Sequence, residues 1–305
     1  MTRVLSYNIL VGGTRRVTKL ASIIAAANPD VVGLVEANDP LVVEALAQRL
    51  NMQHAMSGRA SHYRDWQVAV LSRLPIIDSK VHTYPEVLTR NHLLEVTVEE
   101  TDGRHLTVFV LHQTADFYNG MSAVRKRRKE IQLALSLMSK RHGRPHLLMG
   151  DLNSIAPGEP VYGTKLLRYQ LHKRDEYYKS IEALTDGAPK HLTETLLRTC
   201  IISPFIHLLL ESRAISALID HVGYRYAQGG IDLLQQAGYI DCFRQANPRA
   251  SGFTCPACVL SGRIDYIFAS PELAPRLIES EVISEGNGVR GEEASDHLPV
   301  LAEFT

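Results

Sequence analysis

Five consecutive apolar residues, Val31-Val32-Gly33-Leu34-Val35, stop abruptly at an acid, Glu36. Such a run is too short for a buried helix and shows no polar alternation, so it reads as a buried strand. Its flanks are helical. Val17 to Ala27 is rich in Ala and Ile, Pro29-Asp30 makes a turn, and Asp39 to Leu50 suits a second helix with Asp39 as N-cap and Pro40 at its first position. A short strand, Val4 to Ile9, precedes them. This alternation commits the amino half to an α/β arrangement.

From Gln67 the pattern turns to strands: Val68 to Ser72, Ile76 to His82, His92 to Val98 and Leu106 to Leu111, the last two joined through Thr101-Asp102-Gly103. Met121 to Arg141 has helical periodicity, and His146 to Met149 is a strand running into Gly150-Asp151. Residues 157 to 230 read instead as several helices, broken at Gly187-Ala188-Pro189 and Ser203-Pro204. Strand signals return at Arg263 to Ala269, Glu281 to Ser284 and Pro299 to Phe304. Strand-rich flanks around a helical block predict one α/β domain over residues 1–305 with a helical insertion at 157–230.

Thirty-three Lys and Arg balance 33 Asp and Glu, so the formal net charge is zero. Non-specific nucleic-acid binders draw affinity from a basic excess, which this chain lacks, although a local basic groove would serve a nuclease. No charged n-region leads a long apolar h-region, and the apolar run Ile201 to Leu210 contains Pro204 and His207. It is far short of the ~20 residues a membrane span needs. Four Cys suit a reducing compartment better than a disulfide framework, and a cytoplasmic protein without integral membrane contact is expected.

Polar residues recur where strands end, the place where rigid scaffolds display function. Asn8 follows Leu5-Ser6-Tyr7, Glu36 follows Leu34-Val35, and His112 follows Val110-Leu111. Asp151 and Asn153 stand in Gly150-Asp151-Leu152-Asn153, Asp265 in Arg263-Ile264-Asp265-Tyr266, and Asp296 and His297 in Ser295-Asp296-His297. Singly, a strand-end Asn or Asp is most often a turn or cap residue. Together, and with Ala69-Val70-Leu71-Ser72-Arg73-Leu74-Pro75-Ile76 and Tyr239-Ile240-Asp241, they resemble the endonuclease/exonuclease/phosphatase (DNase I-like) superfamily over residues 3 to 156 and about 237 to 304.

The resemblance implies a four-layered α/β/β/α sandwich of two packed β-sheets, with the strand-end residues converging at one end. It implies a divalent-metal-dependent phosphoester hydrolase, a phosphodiesterase or phosphatase using in-line attack by an activated water. Glu36 would be the principal metal ligand, with Asn8 and Asp296 beside it or acting through water. Asp151 would orient or deprotonate the water, and Asn153 would hold the phosphate or that aspartate. His112 and His297 would face the phosphate, and Asp265 would fix the tautomer of an imidazole. Hard oxygen ligands select Mg²⁺ or Mn²⁺. One metal or two, and Asp151 or His297 as the base, stay open at this level.

Substrate identity is less constrained. The resemblance places Leu111-His112-Gln113 where abasic-site endonucleases tend to carry Tyr, which favours a small or lipid-like phosphoester over abasic-site repair. A DNase I-like nuclease is the alternative, and a catalytically inactive binding module is disfavoured by the intact residue set. Arg125-Lys126-Arg127-Arg128-Lys129 reads as a solvated helix face or, as the resemblance implies, a phosphate clamp that includes Arg125 and Arg128, and its opposition to the helix dipole unless an anion is bound keeps the second reading open. Within the insertion, Tyr162, Tyr169, Tyr177, Tyr178, Tyr224 and Tyr226 accompany Lys165, Arg168, Lys173 and Arg174, a set that suits helix packing or, alternatively, a nucleotide strand. Cys255-Pro256-Ala257-Cys258 has metal-knuckle spacing, but a closed zinc site needs four ligands and Cys200 and Cys242 are isolated. No protein partner is inferable.

Overall fold

The computed structural model describes residues 1–58, 66–88, 92–115, 119–172 and 211–305. One six-stranded sheet contains β1 (Thr2–Asn8), β2 (Val31–Val35), β3 (Gln53–Met56), β4 (Val68–Ser72), β11 (Leu277–Val282) and β14 (Val300–Phe304), in the order β11-β14-β1-β2-β4-β3. The other contains β5 (Ile76–His82), β6 (Leu93–Glu99), β7 (His105–Leu111), β8 (His146–Asp151), β9 (Ile240–Asp241) and β10 (Asp265–Ala269), in the order β5-β6-β7-β8-β10-β9. A small hairpin, β12 (Glu285–Gly286) with β13 (Val289–Arg290), stands apart.

Strand periodicity sorts the apolar side chains into three layers. Val4, Val31, Val35, Val70, Val96, Val108, Val110, Leu147, Met149 and Ile267 meet between the sheets. Their neighbours Leu5, Tyr7, Val32 and Leu34 face the other way and pack on Leu20, Ile23 and Ile24 of α1 (Val17–Ala27) and Val43 and Leu46 of α2 (Pro40–Leu50). Phe109, Leu111, Leu148, Tyr266 and Phe268 cover the second sheet's outer face beneath Ile131, Ala134 and Leu137 of α3 (Met121–Met138). The result is the α/β/β/α sandwich. The all-apolar reading of Val31–Val35 was therefore a correct signal of burial on both faces: β2 is central, parallel to β1 and antiparallel to β4.

Local signals set most boundaries. Asp39 caps α2, its side chain accepting the Leu41 N–H at 3.0 Å, with Pro40 first in the helix. The structure differs from the sequence reading at sheet edges. Strand β3 carries Gln53 and His54, and β11 begins at Leu277 rather than Glu281, its Glu279 and Glu281 facing solvent; neither has an apolar stripe to announce it. Helix α3 ends at Met138 and continues as a 3₁₀ turn, Ser139–Arg141.

In the predicted helical block the described elements are α4 (Gly163–His172) and α5 (Arg213–Tyr226). Asp220 accepts from the Thr164 N–H at 2.7 Å and the Thr164 hydroxyl at 2.8 Å, clamping the pair. Tyr162 N–H donates to Ser261 O at 2.8 Å, tying α4 to the sandwich. The breaks at 187–189 and 203–204, the apolar run 201–210, Lys173, Arg174, Tyr177, Tyr178 and Cys200 lie outside the described residues.

Candidate active site

Sheet register gathers the polar strand ends. Parallel pairing of β1 with β2 sets Asn8 opposite Val35, so Glu36 is the next residue along the same edge. In the second sheet β7 runs parallel to β8, bringing His112 beside the end of β8, and antiparallel β10 sets Asp265 directly opposite Asp151. Gly150 makes this approach possible. Its φ is +141°, and a Cβ there would stand 2.0 Å from Leu111 O. The segment before β14 joins the same edge, with Ser295 Oγ donating to Asn8 O at 2.7 Å.

A continuous set of contacts links these groups. Asn8 Nδ2 donates to Glu36 Oε1 at 3.2 Å and to Asp151 Oδ2 at 3.0 Å, while Asn8 Oδ1 accepts the Leu10 N–H at 3.0 Å. Glu36 Oε2 accepts from the Val11 N–H at 2.7 Å. Asp151 Oδ1 accepts from the Asn153 N–H at 2.8 Å, and Asn153 Nδ2 donates to Gln113 O at 2.9 Å. Asp151 Oδ2 is 3.7 Å from His112 Nε2 and 3.8 Å from His297 Nε2, and His297 Nδ1 is 2.8 Å from Asp265 Oδ2. Asp296 is half-buried at the rim, within range of Ser295 Oγ at 3.5 Å. Asn8, Glu36, His112, Asp151, Asn153, Asp265 and His297 are all buried.

Burial and mutual charge set the protonation of this cluster. Desolvation, reinforced by the Asp296 charge, raises the Glu36 carboxyl above its ordinary value. Asp151 is pushed up to about 8 by burial first, with the Asp265 charge also raising it and His297, the Asn153 N–H and Asn8 opposing. The two imidazoles diverge. Burial, and then the nearby His297, holds His112 down to about 3. Burial also opposes charge on His297, but Asp265, Cys255, Asp296 and Asp151 outweigh it and place its pKa well above the ordinary 6.5.

The donor set fits a divalent cation. Glu36, Asp151 and Asp265 bring buried carboxyls together with Asp296 half-buried at their rim, and burial first, then the neighbouring acid charges, raises Glu36 and Asp151. Asp265 Oδ1 is buried without a hydrogen-bond partner among the described residues. Asp151, Asp265 and His297 each offer a ligand atom, all within 4.8 Å of one another.

The model of the Endonuclease/Exonuclease/phosphatase family matches residues 5–297. The chain belongs to that family. Its reaction class is metal-dependent phosphoester hydrolysis. Solved structures share the fold at low identity. A 3′ phosphatase, NExo from Neisseria bound to product DNA hairpin, is 19% identical with a TM-score of 0.63, covering 100% of each chain. An AP endonuclease from Archaeoglobus fulgidus is 17% identical at a TM-score of 0.62, covering 100% of this chain and 99% of that one. A humanized D. rerio TDP2 is 16% identical at 0.61, covering 100% and 98%. No curated protein sequence matches.

Other sequence candidates sit away from the cluster or beside it. Arg125 is exposed on α3, and the half-buried Arg128 is ion-paired to Asp232 at 2.6 Å. Between them Arg127 is wholly buried, donating to Gln228 O, Tyr226 O, Thr114 O and Ala115 O. That run is thus divided among solvent, an ion pair and a carbonyl clamp. Cys242 is buried in the core between the sheets, apart from the Cys255 turn. Cys255 adjoins His297 and its thiol is pushed up to about 12, chiefly by burial; Cys258 meets Tyr169.

Sequence reasoning passed over Arg16. Its buried guanidinium donates to Ile9 O and Leu10 O, beyond Asn8, and to Ala294 O, before Ser295-Asp296-His297. It thus stitches the loop that follows Asn8 to the segment that carries Asp296 and His297, and its charge is felt by Asp296 and Glu36. No motif signals a lone Arg in a loop. Its partners are backbone carbonyls up to 278 residues away.

Proposed function

We propose that the protein hydrolyses phosphoesters by direct attack of water, with Mg²⁺ or Mn²⁺ held at Glu36 and Asp296. Asn8 then acts on that site through the carboxylates of Glu36 and Asp151, toward which its N–H donors point. The single observation that carries the reading is the geometry around Asp151, whose Oδ2 lies 3.7 Å from His112 Nε2 and 3.8 Å from His297 Nε2. Burial raises the Asp151 carboxyl and lowers His112, while Asp265, foremost of the groups that outweigh burial, holds His297 above its ordinary value.

A divalent cation, when bound, supplies positive charge to the phosphate oxygens and lowers the pKa of water. The side chains do the rest. Asp151 accepts the proton of the attacking water at Oδ2, and its other oxygen is held by the Asn153 N–H. His297 presents a protonated Nε2 to the phosphate while Asp265 fixes Nδ1. His112 lends a neutral hydrogen bond to the same charge. Asn153, anchored on Gln113 O, limits the swing of the Asp151 loop. We read 157–230 as an insertion that selects substrate, a reading supported by the attachment of α4 to the Ser261 turn beside Cys255. Cytoplasmic residence belongs to the same reading, supported by the free thiols of Cys242, Cys255 and Cys258; among the described residues no helix is long and apolar enough to cross a membrane.

The test is hydrolysis of bis-p-nitrophenyl phosphate with chelation and metal return, run in ¹⁸O water. Chelation should abolish turnover, Mg²⁺ or Mn²⁺ should restore it, and one ¹⁸O should enter the phosphate product. Calorimetry should show Glu36→Gln and Asp296→Asn losing metal affinity far more than His297→Ala. Full activity after exhaustive chelation would refute the proposal.

A further inference from the structure

Trp66 is the sole tryptophan of the chain. It is half-buried, and its ring meets the His112 ring at a centroid separation of 5.7 Å and an interplanar angle of 63°. It belongs to none of the three apolar clusters that make up the core of the described residues. Its position is nevertheless fixed. The next residue, Gln67, donates its N–H to Asn38 Oδ1 at 2.9 Å and accepts the Ala37 N–H at 2.8 Å, and its side chain takes a hydrogen bond from Ser57 Oγ at 2.8 Å. The backbone beside Trp66 is therefore tied to the loop that follows Glu36, while the indole itself meets the imidazole that flanks Asp151.

His112 adds a second observation. Its side chain is buried, only 3% exposed, and Nδ1 has no hydrogen-bond partner among the described residues. Buried polar atoms are normally satisfied, and an orphan in a catalytic cluster is most simply completed by a ligand. A rigid indole supplies a π-surface and the unpartnered Nδ1 of the imidazole supplies one hydrogen bond, a combination that suits a flat ring carrying polar atoms. A lipid tail would need a channel of several apolar side chains. Among the described residues, the ring contact of Trp66 is with the polar ring of His112, and the residue after it, Gln67, is bonded to the polar side chains of Asn38 and Ser57.

We propose that Trp66 and His112 form the wall of a subsite that receives an aromatic group carried by the phosphoester substrate. The proposal rests on the hydrolase reading above and names the chemistry of its substrate. A nucleobase and a phenol share that chemistry. Trp66 determines specificity, and the reaction itself is left to the cluster around Asp151.

Binding of four phosphates to the Mg²⁺-loaded protein tests this: thymidine 5′-monophosphate, phenyl phosphate, methyl phosphate and inorganic phosphate. Emission of the single tryptophan reads binding directly, and inhibition of diester hydrolysis gives Ki independently. The wild type should prefer an aromatic phosphate over methyl phosphate by about tenfold or more, as stacking on an aromatic side chain allows, with quenching specific to the aromatic ligands. Trp66→Ala should collapse that ratio to within about twofold, and Trp66→Phe should retain most of it. The better of the thymidine and phenyl ligands identifies the source of the ring. Equal affinity of the wild type for methyl and aromatic phosphates would overturn the proposal, as would a proportional loss of all four ligands in Trp66→Ala. If no diester is hydrolysed the function proposed above fails, yet calorimetric titration of the four phosphates into wild type and Trp66→Ala still decides the subsite.

Discussion

Replacing Asp265 by Asn tests the charged imidazole at the centre of the mechanism. His297 Nδ1 lies 2.8 Å from Asp265 Oδ2, and both side chains are buried. Burial disfavours the imidazolium, and Asp265 is the foremost of the groups that overcome it. The amide keeps the shape and removes the charge. A hydrogen bond to a charged group contributes ~1.5–3 kcal/mol, which corresponds to roughly 10- to 150-fold in rate. An amide N–H aimed at Nδ1 would also favour the wrong tautomer, so the upper part of that range is expected. The assay is kcat against pH for an activated diester at saturating metal, with an NMR titration of the His297 ring. In the wild type, activity should decline on the alkaline side as the imidazolium is lost, and Asp265→Asn should move that limb to lower pH. The linked stability has the same sign. A folded pKa raised above the ordinary 6.5 contributes stability that is fully present below that value and is lost as pH rises through the folded pKa. Asp265→Asn should flatten this dependence. A variant with kcat within threefold of wild type and an unmoved alkaline limb would refute the assignment.

Arg16→Met removes the clamp on Ile9 O, Leu10 O and Ala294 O, and urea unfolding should report a loss of about 3 kcal/mol; a change below ~1 kcal/mol would mean the loops hold without it. Gly150→Ala forces a Cβ to within 2.0 Å of Leu111 O, so the variant should lose at least ~3 kcal/mol in the same assay or fail to fold, whereas a stable, active protein would show that β7 and β8 can separate. Arg128→Ala should leave KM nearly unchanged and cost only about 0.5 kcal/mol, because its charge is already paired with the half-exposed Asp232; a tenfold rise in KM would return Arg128 to the substrate site.

Much of the candidate site was legible in the chain because it is written in short-range terms. Each of Asn8, Glu36, His112, Asp151 and Asp265 terminates or begins an apolar run whose period marks a strand. Polar residues at such ends lie at the rim of a sheet wherever that sheet goes. The reading of Arg125 and Arg128 as phosphate ligands rested on charge and helix position. Helix α3 divides that run by face, sending Arg127 inward to carbonyls and pairing Arg128 with a residue 104 positions away. The CxxC spacing likewise implied four gathered cysteines only if distant ones converged, and Cys242 is instead part of the core. Arg16 and Trp66 carried no pattern. One is defined by carbonyls at Leu10 and Ala294, the other by the ring of His112, and such neighbours exist only after the sheets have packed.

The sequence by itself determined the elements and the identity of the chemical groups, since period-two alternation, caps and turns depend on near neighbours alone. Tertiary structure decided what those groups become. His112 and His297 are the same side chain, each beside a strand, and nothing local distinguishes them. Packing encloses His112 in low dielectric, 3.7 Å from Asp151, and keeps it neutral, while β10 delivers Asp265 to within 2.8 Å of His297 and keeps it charged. Asp151 lies between them, raised to about 8 by burial and by Asp265 across the register. Those protonation states arise from desolvation and from charges brought together across as many as 185 residues, as from His112 to His297, and only a folded chain creates either.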